Sequence, residues 1–359
     1  MRKLILLLFI ALFLAACSND EEVAKETESP TENEQPQESE QEENVTEEPD
    51  PEPEYKNTFP LTGVGTNDEV DDRIVGIMIN NHTNARPQTG LSQADIVFEL
   101  LAEGPITRFL ALFQSEKPDV VGPVRSAREY YFDLANRYGA LYVYHGAAGF
   151  VNEMIYNRGI EYIDGYYRDN DGHAFKRESF RVAPHNSYFL MENVYDVAES
   201  KGYDVKREYE SLPFLDDEEI GRLSGEEANH IEIVYSNNPM EIVEFTYDPA
   251  SEKYNRYNDR EQTVELETDE PIEVDNVFII EAQHAVIDDV GRRDIDLYAG
   301  GDAYLIQKGK IQKLEWENRF GRLIPVKDGE SVGFVPGKTW VNVVPTNPGM
   351  EQSVKVMNE

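Results

Sequence analysis

The stretch Ile96-Val97-Phe98-Glu99-Leu100-Leu101-Ala102-Glu103-Gly104-Pro105-Ile106-Thr107-Arg108-Phe109-Leu110-Ala111-Leu112-Phe113-Gln114 decides the reading of the fold. Two apolar runs are split by Glu-Gly-Pro, so residues 96–102 and 108–114 read as an antiparallel hairpin. Glu99 stands inside the first run and Glu103 at its end, with Thr107 and Arg108 where the chain returns. Charges in such a setting need partners. A buried Glu99 facing Arg108 as a structural ion pair is preferred over a catalytic carboxylate, because structural networks also perturb proton affinities.

Upstream, residues 73–80 form another strong strand. Downstream, Tyr130, Tyr131, Leu134 and Tyr138 recur at steps of three and four, which predicts a helix over 126–138 ending at Gly139. Residues 141–144 read as a buried strand, 150–156 and 188–198 as helices, and Gly202 as a C-cap. Residues 208–227 are acidic and interrupted by Pro213, Gly221 and Gly225, which marks a boundary. Beyond it come short β-rich runs at 231–235, 242–247, 277–280, 295–298, 303–307 and 340–344. The expectation is an α/β N-terminal domain over 57–210, a mixed sheet with flanking helices. A boundary segment, 211–229, leads to a smaller, mostly β C-terminal domain over 230–356. No fixed-period repeat is present, which excludes solenoids and propellers.

Arg2 and Lys3 precede thirteen apolar residues, 4–16, too few to span a bilayer as a helix, and the run stops at Cys17. Residues 1–16 therefore read as a signal peptide and Cys17 as the lipidated first residue of a membrane-anchored, extracytoplasmic lipoprotein. Two or three acyl chains make such attachment stable. With Cys17 acylated, no thiol remains for disulfides or nucleophilic chemistry. Residues 18–54 carry 16 acidic side chains against Lys25, a charge of −15, and too few apolar groups to fold, so 17–56 reads as a disordered acidic tether. Removing that −15 and the +2 of the signal peptide from the formal −37 leaves −24 for residues 55–359. Such a balance argues against nucleic acid as a partner.

Candidate site residues fall at strand ends, where a rigid scaffold presents them to a cleft. Asn80, Asn81, His82, Arg86 and Gln88 follow the 73–80 strand in a donor-rich loop that Pro87 stiffens. Glu99, Glu103 and Arg108 belong to the hairpin. Gly122-Pro123-Val124-Arg125-Ser126-Ala127-Arg128 leads into the helix, and Ser126 as its cap would leave amide N–H groups beside two guanidiniums, a setting for phosphate or carboxylate; the alternative is that Arg125 and Arg128 pair with Glu99 or Glu103. His145, Arg181, His185 and Asn186 complete the set. The aromatic and polar alternation of 253–259 and Trp340 suits sugars, but closing a small β core is the preferred reading. P-loop, G-x-S-x-G, H-E-x-x-H and C-x-x-C motifs are absent, and no metal site is expected.

The motifs Pro60-Leu61-Thr62-Gly63, Ala85-Arg86-Pro87-Gln88, Gln93-Ala94-Asp95-Ile96-Val97, Gly122-Pro123-Val124-Arg125-Ser126, Pro184-His185-Asn186 and Gly337-Lys338-Thr339-Trp340 resemble those of the YerB-like lipoprotein family. That resemblance implies lipid anchoring and paired N- and C-terminal domains of unknown function, and it assigns no catalytic residue. The Ala94-to-Val97 motif, a second strand and the Pro-Val-Arg-Ser segment are more loosely similar to LytR-CpsA-Psr phosphotransferases. That likeness implies a grip by Arg86, Arg108, Arg125 and Arg128 on a lipid-linked pyrophosphate. Those enzymes' Arg-Asp dipeptides are missing here, Arg125 being followed by Ser126.

The preferred reading is a binding lipoprotein whose Arg-lined cleft takes an anionic envelope glycopolymer or lipid-linked precursor, without a cofactor. The first alternative is a phosphotransferase or phosphodiester-acting enzyme with a divalent cation on carboxylates such as Asp95, Glu99 or Glu103. The second is a scaffold that binds an envelope protein through the C-terminal domain. Replacing Cys17 with Ala is expected to abolish acylation and signal cleavage. Normal maturation of that variant, followed by mass spectrometry of the membrane fraction, would remove the lipoprotein reading.

Overall fold

The computed structural model describes residues 55–235 and 242–357; the stretch read as a signal peptide, Cys17 and nearly all of the stretch read as an acidic tether lie outside them. The main strands in chain order are Val75–Asn80 (β1), Ile96–Glu103 (β2), Ile106–Phe113 (β3), Leu141–Tyr144 (β4), Tyr162–Asp164 (β5), His230–Val234 (β6), Ile242–Asp248 (β7) and Lys253–Asn258 (β8). They continue with Asn276–Ala282 (β9), Gly301–Gln307 (β10), Lys310–Arg319 (β11), Arg322–Lys327 (β12) and Thr339–Pro345 (β13). The helices that matter for the site are Glu129–Arg137 (α1), Gly149–Asn157 (α2) and Val194–Ser200 (α3).

The predicted hairpin is β2–β3, and it lies near the middle of a sheet ordered β12-β11-β10-β9-β13-β2-β3-β1-β4-β5, with the two-residue strand Glu330–Ser331 beyond β12. β13 runs parallel to β9 on one side and to β2 on the other, and β1, β4 and β5 are mutually parallel neighbours. Alternate side chains face opposite ways. Val97, Leu101, Phe109, Ile77, Ile279 and Trp340 pack against a second, antiparallel sheet containing β6, β7 and β8. Phe98, Leu100, Leu110, Met78, Phe278 and Val343 pack on the other face with α1 and α2. Burial on both faces is why the hairpin reads as two nearly unbroken apolar runs.

The fold class is the expected one, a first segment mixing strands with a few helices and a second made mostly of strands. The sequence boundary does not divide the packing, because β13 is inserted beside β2 and residues 53–359 form one compact unit. Helix α1 buries Tyr130, Tyr131, Phe132 and Leu134 and stops where Gly139 adopts φ of +67°. The Tyr131 hydroxyl donates to the Leu100 and Arg108 carbonyls at 2.8 and 2.7 Å, tying α1 to the hairpin. Residues 188–198 are not one helix: Ser187–Leu190 is a strand paired with Phe175–Arg177, and α3 starts only at Val194. Pairing decided what helical spacing misread. Strands β11 and β12 were not anticipated; in β11, buried Ile311, Leu314 and Trp316 stand among Lys, Gln and Glu.

Glu99 is fully buried, and its partner is not Arg108. In the β2–β3 ladder Glu99 lies opposite Phe109 and Arg108 opposite Leu100, so the two charges occupy opposite faces. Glu99 faces the second sheet, where the Arg256 guanidinium of β8 donates to both carboxylate oxygens at 3.0 and 2.9 Å. Thr107 Oγ1 (2.8 Å), Trp340 Nε1 (2.9 Å) and Asn342 Nδ2 (3.3 Å) also donate to it. Arg256 in turn stacks on Trp340, 4.5 Å from the ring centroid, and on Phe109 at 5.1 Å. Replacing Glu99 with Ala leaves Arg256 buried without its counterion and is expected to cost about 3–5 kcal/mol in urea unfolding. Replacing both with apolar residues, Glu99→Leu with Arg256→Met, is expected to recover most of the loss. A single Ala variant as stable as wild type would show that the pair does not hold the layers together.

Candidate functional site

Parallel strands β1 and β4 open at their C-terminal ends, the end of a sheet at which a crevice can form. Residues 122–127 thread between them. Asn80 N donates to the Pro123 carbonyl at 2.9 Å, Arg125 N to Met78 at 2.9 Å, His145 N to Arg125 at 3.0 Å, and Val124 N to Ser187 at 2.7 Å. The Arg125 backbone is thus held by two neighbouring chains. Val124 points to the second-sheet face, which turns Arg125 to the face that carries α1 and Arg108.

Two guanidiniums meet there on one carboxylate, and Arg125 lies close enough to Arg108 to feel its charge. Arg108 donates to Glu103 at 2.7 Å and to the Ser126 carbonyl at 3.0 Å, and Arg128 pairs with the other oxygen of Glu103. Arg125 is part-buried and has no side-chain hydrogen bond or ion pair among the described residues. Burial, with Arg108 adding to it, pulls its pKa down to about 10. Three positive charges against one negative leave the cluster net cationic in a chain that is otherwise strongly acidic.

His185 lies near Arg125, and His82 packs against His185. The rings of His82 and His185 lie 4.7 Å apart, and Asn80 Nδ2 contacts His185 Nδ1 at 2.9 Å. Burial first, then His82, Arg125 and Arg181, holds His185 below the ordinary histidine pKa. Arg181 itself donates to the Tyr188 hydroxyl (2.7 Å) and the Pro87 carbonyl (2.5 Å). On the other side His145 Nε2 lies 3.3 Å from Asp169, a carboxylate that also takes two hydrogen bonds from Arg177, whose third goes to Asn186.

Several expectations are corrected. Ser126 does not cap α1: the helix begins at Glu129 with Arg128 as N-cap and no side-chain cap. Arg86 does not join the cluster; it pairs with Asp259 at 2.7 Å and bonds to Asn81. Asn81, Gln88 and Glu99 are buried in the polar seam between the sheets, where Asn81 Nδ2 reaches Thr107 and Asn258, and Gln88 Nε2 reaches the Asn80 carbonyl. The carboxylates Asp95, Glu99 and Glu103 sit at successive places along one strand, roughly 13 Å apart at about 3.3 Å per residue, too far to share an ion. Asp95 instead accepts from Gln114 N and Ser115 N at 2.6 and 3.0 Å, and its burial raises its pKa to about 6 against those bonds. Among the described residues, no three His, Cys, Asp or Glu side chains are placed to hold a metal ion.

Two family models match the chain: the N-terminal domain of a protein of unknown function (DUF3048) over residues 61–204, and the corresponding C-terminal domain over 231–341. Over 297 residues, 82% of this chain and 88% of the relative, it is 44% identical to the putative lipoprotein YerB of Bacillus subtilis (strain 168). The chain belongs to the YerB-like lipoprotein family. A crystal structure of YerB protein from Bacillus subtilis superposes with a TM-score of 0.76 at 42% identity, covering 84% of this chain and 100% of that one. The YerB-like motifs divide by role. Gly122 to Ser126 and Pro184 to Asn186 border the cationic cluster. Ala85 to Gln88 and Gly337 to Trp340 build the joint, where Thr339 N donates to the Asp95 carbonyl at 3.0 Å and Gly337 N to Thr62 at 2.7 Å.

Sequence reasoning missed Arg256 and Asn342 as partners of Glu99, Asn258 as the acceptor beside Arg256, and Asp169 and Arg177 beside His145. The alternation of 253–259 did carry a signal, since Tyr254, Arg256 and Asn258 all turn inward. The core reading was the right one for Tyr254 and Trp340, both fully buried. Arg108→Ala removes one of the two guanidiniums that hold Glu103 and is expected to cost about 1.5–3 kcal/mol of stability, the range for hydrogen bonds to charged groups. Arg125→Ala removes a part-buried, unpaired charge and is expected to leave the urea midpoint unchanged or higher. Equal losses for both would place Arg125 in the structural network.

Proposed function

We propose that this protein is a membrane-anchored, extracytoplasmic lipoprotein whose first segment binds an anionic envelope ligand, a glycopolymer or lipid-linked precursor, beside Arg125. Similarity to a putative lipoprotein and the apolar run ending at Cys17 support the anchoring. The observation that carries the binding is the unpartnered Arg125 guanidinium within a group of three guanidiniums and one carboxylate. A folded protein gains nothing in stability from a part-buried, unpaired cation, whereas a planar guanidinium is suited to grip phosphate or carboxylate in a fork. Separation of Asp95, Glu99 and Glu103 weighs against a phosphotransferase built on a carboxylate-held cation. A second reading, contact with an envelope protein, is favoured by Val286, Ile287 and Val290, exposed together on the hairpin of the C-terminal segment.

Calorimetric titration with inorganic pyrophosphate is expected to show binding that Arg125→Ala weakens by about 1.5–3 kcal/mol, with Arg125→Lys intermediate. Sulfate, whose charge is constant through the histidine range, reports the pH dependence. A bound anion offsets the cations that depress His185, so its pKa is higher bound than free and binding takes up a proton. Affinity for sulfate is therefore expected to rise as pH falls through the range below about 6.5. His185→Asn is expected to flatten that rise. Wild-type protein that binds neither anion would end the cleft proposal.

A further inference from the structure

The central sheet ends at β5, and beyond its C-terminal end lies a cavity of about 350 Å³ lined by Tyr162, Asp164, Tyr167, Arg168, Asp171 and Lys201. It is connected to the Arg125 cleft through the backbone. His145 N holds the Arg125 carbonyl, and the next residue, Gly146, donates its N–H to Asp164 Oδ1 at 2.8 Å. Glycine is required at 165, since a Cβ there would meet His145 at 2.4 Å. That close approach carries Tyr166 and Tyr167 outward from the cleft wall, and they are 68% and 75% exposed.

The cavity holds a second cation with no direct carboxylate partner among the described residues, Asp164 acting on it only at longer range. Lys201 extends from the end of α3 with its ammonium 4.4 Å from the Tyr162 ring centroid and 5.3 Å from that of Tyr203, and no carboxylate pairs with it among the described residues. Its location lowers its proton affinity, burial first and Arg168 second, with the Asp164 carboxylate opposing them. Asp164, 3% exposed, uses Oδ1 for Gly146 N and Tyr166 N, while Oδ2 takes no hydrogen bond; the Tyr144 hydroxyl near it is turned to Asn152 at 3.1 Å. An exposed aromatic face and an ammonium suit a sugar ring that bears a negative group.

We propose that this cavity is a second subsite for an anionic sugar ring, so that the ligand held at Arg125 continues along the sheet end as a short acidic oligosaccharide. The inference rests on the Arg125 reading and extends it. A short ligand fits better than a long polyanion, because the chain's charge of −24 beyond the tether repels the latter.

The test titrates the full chain in detergent with inorganic pyrophosphate and with tri-galacturonate, a trisaccharide of uronic acids. Lys201→Ala and Tyr167→Ala, both at exposed side chains, are each expected to weaken tri-galacturonate about tenfold while leaving pyrophosphate unchanged. Tyr167→Ala removes no charge and so separates stacking from general electrostatics. Arg125→Ala is expected to weaken both ligands. Trisaccharide affinity that is unchanged in the Lys201 and Tyr167 variants, or absent in a wild type that binds pyrophosphate, overturns the subsite and spares the Arg125 cleft. Binding of both ligands that survives Arg125→Ala overturns the cleft itself.

Discussion

Glu99 and Arg256 form the constraint on which the rest of the architecture depends. A carboxylate with no solvent exposure in the middle of an apolar strand is tolerable only when its charge is matched and its lone pairs are filled. Here the match comes from β8, far along the chain, and the filling comes from Thr107, Trp340 and Asn342. The network therefore needs the hairpin, the second sheet and β13 together. It also sets the relative position of the two sheets, because the guanidinium lies over Trp340 and Phe109 in one geometry only. Family models divide the chain at residues 204 and 231, but the buried pair and the shared sheet make one folded body of both parts.

That arrangement separates the arginines into kinds. Arg256 and Arg86 are consumed within the joint, the first by Glu99 and the second by Asp259. Arg108 and Arg128 share Glu103 at the opposite face, which leaves positive charge in excess. Arg125 alone in the cluster lacks a side-chain partner among the described residues, although its backbone is fixed, bonded to Met78 and His145 on either side. Rigid backbone with an unsatisfied head group is the arrangement expected of a recognition residue, since preorganisation reduces the ordering cost of binding. The surrounding acidic surface then favours specific contact over long-range attraction.

Much of the strand pattern was legible. The β2–β3 hairpin, β1 and β4 announce themselves as apolar runs, and α1 as a helical stripe ended by Gly139, because local side-chain chemistry matches the observed burial. Ser187–Leu190 was misread because Tyr188 and Met191 fit a helical stripe as well as a strand, and only pairing with Phe175–Arg177 chose between them. The site was half legible. Arg108, Arg125, Arg128, His82 and His185 do gather at one sheet end, whereas Arg86, Asn81, Gln88 and Glu99 belong to the seam behind it.

The sequence by itself determined the apolar run that ends at Cys17, the acidic composition of residues 18–54, the alternation of strands with few helices, and the choice of polar residues at strand ends. Those features depend on spacing and composition within short windows. Tertiary structure alone decided which charge met which. Glu99 and Arg108 are nine residues apart and end on opposite faces because a pleated ladder pairs Glu99 with Phe109 and Arg108 with Leu100. Arg256 reaches Glu99 only because β13 joins the sheet beside β2 and the second sheet packs across it. Ion pairing between sheets is a consequence of strand order and register, and neither is encoded in any single segment.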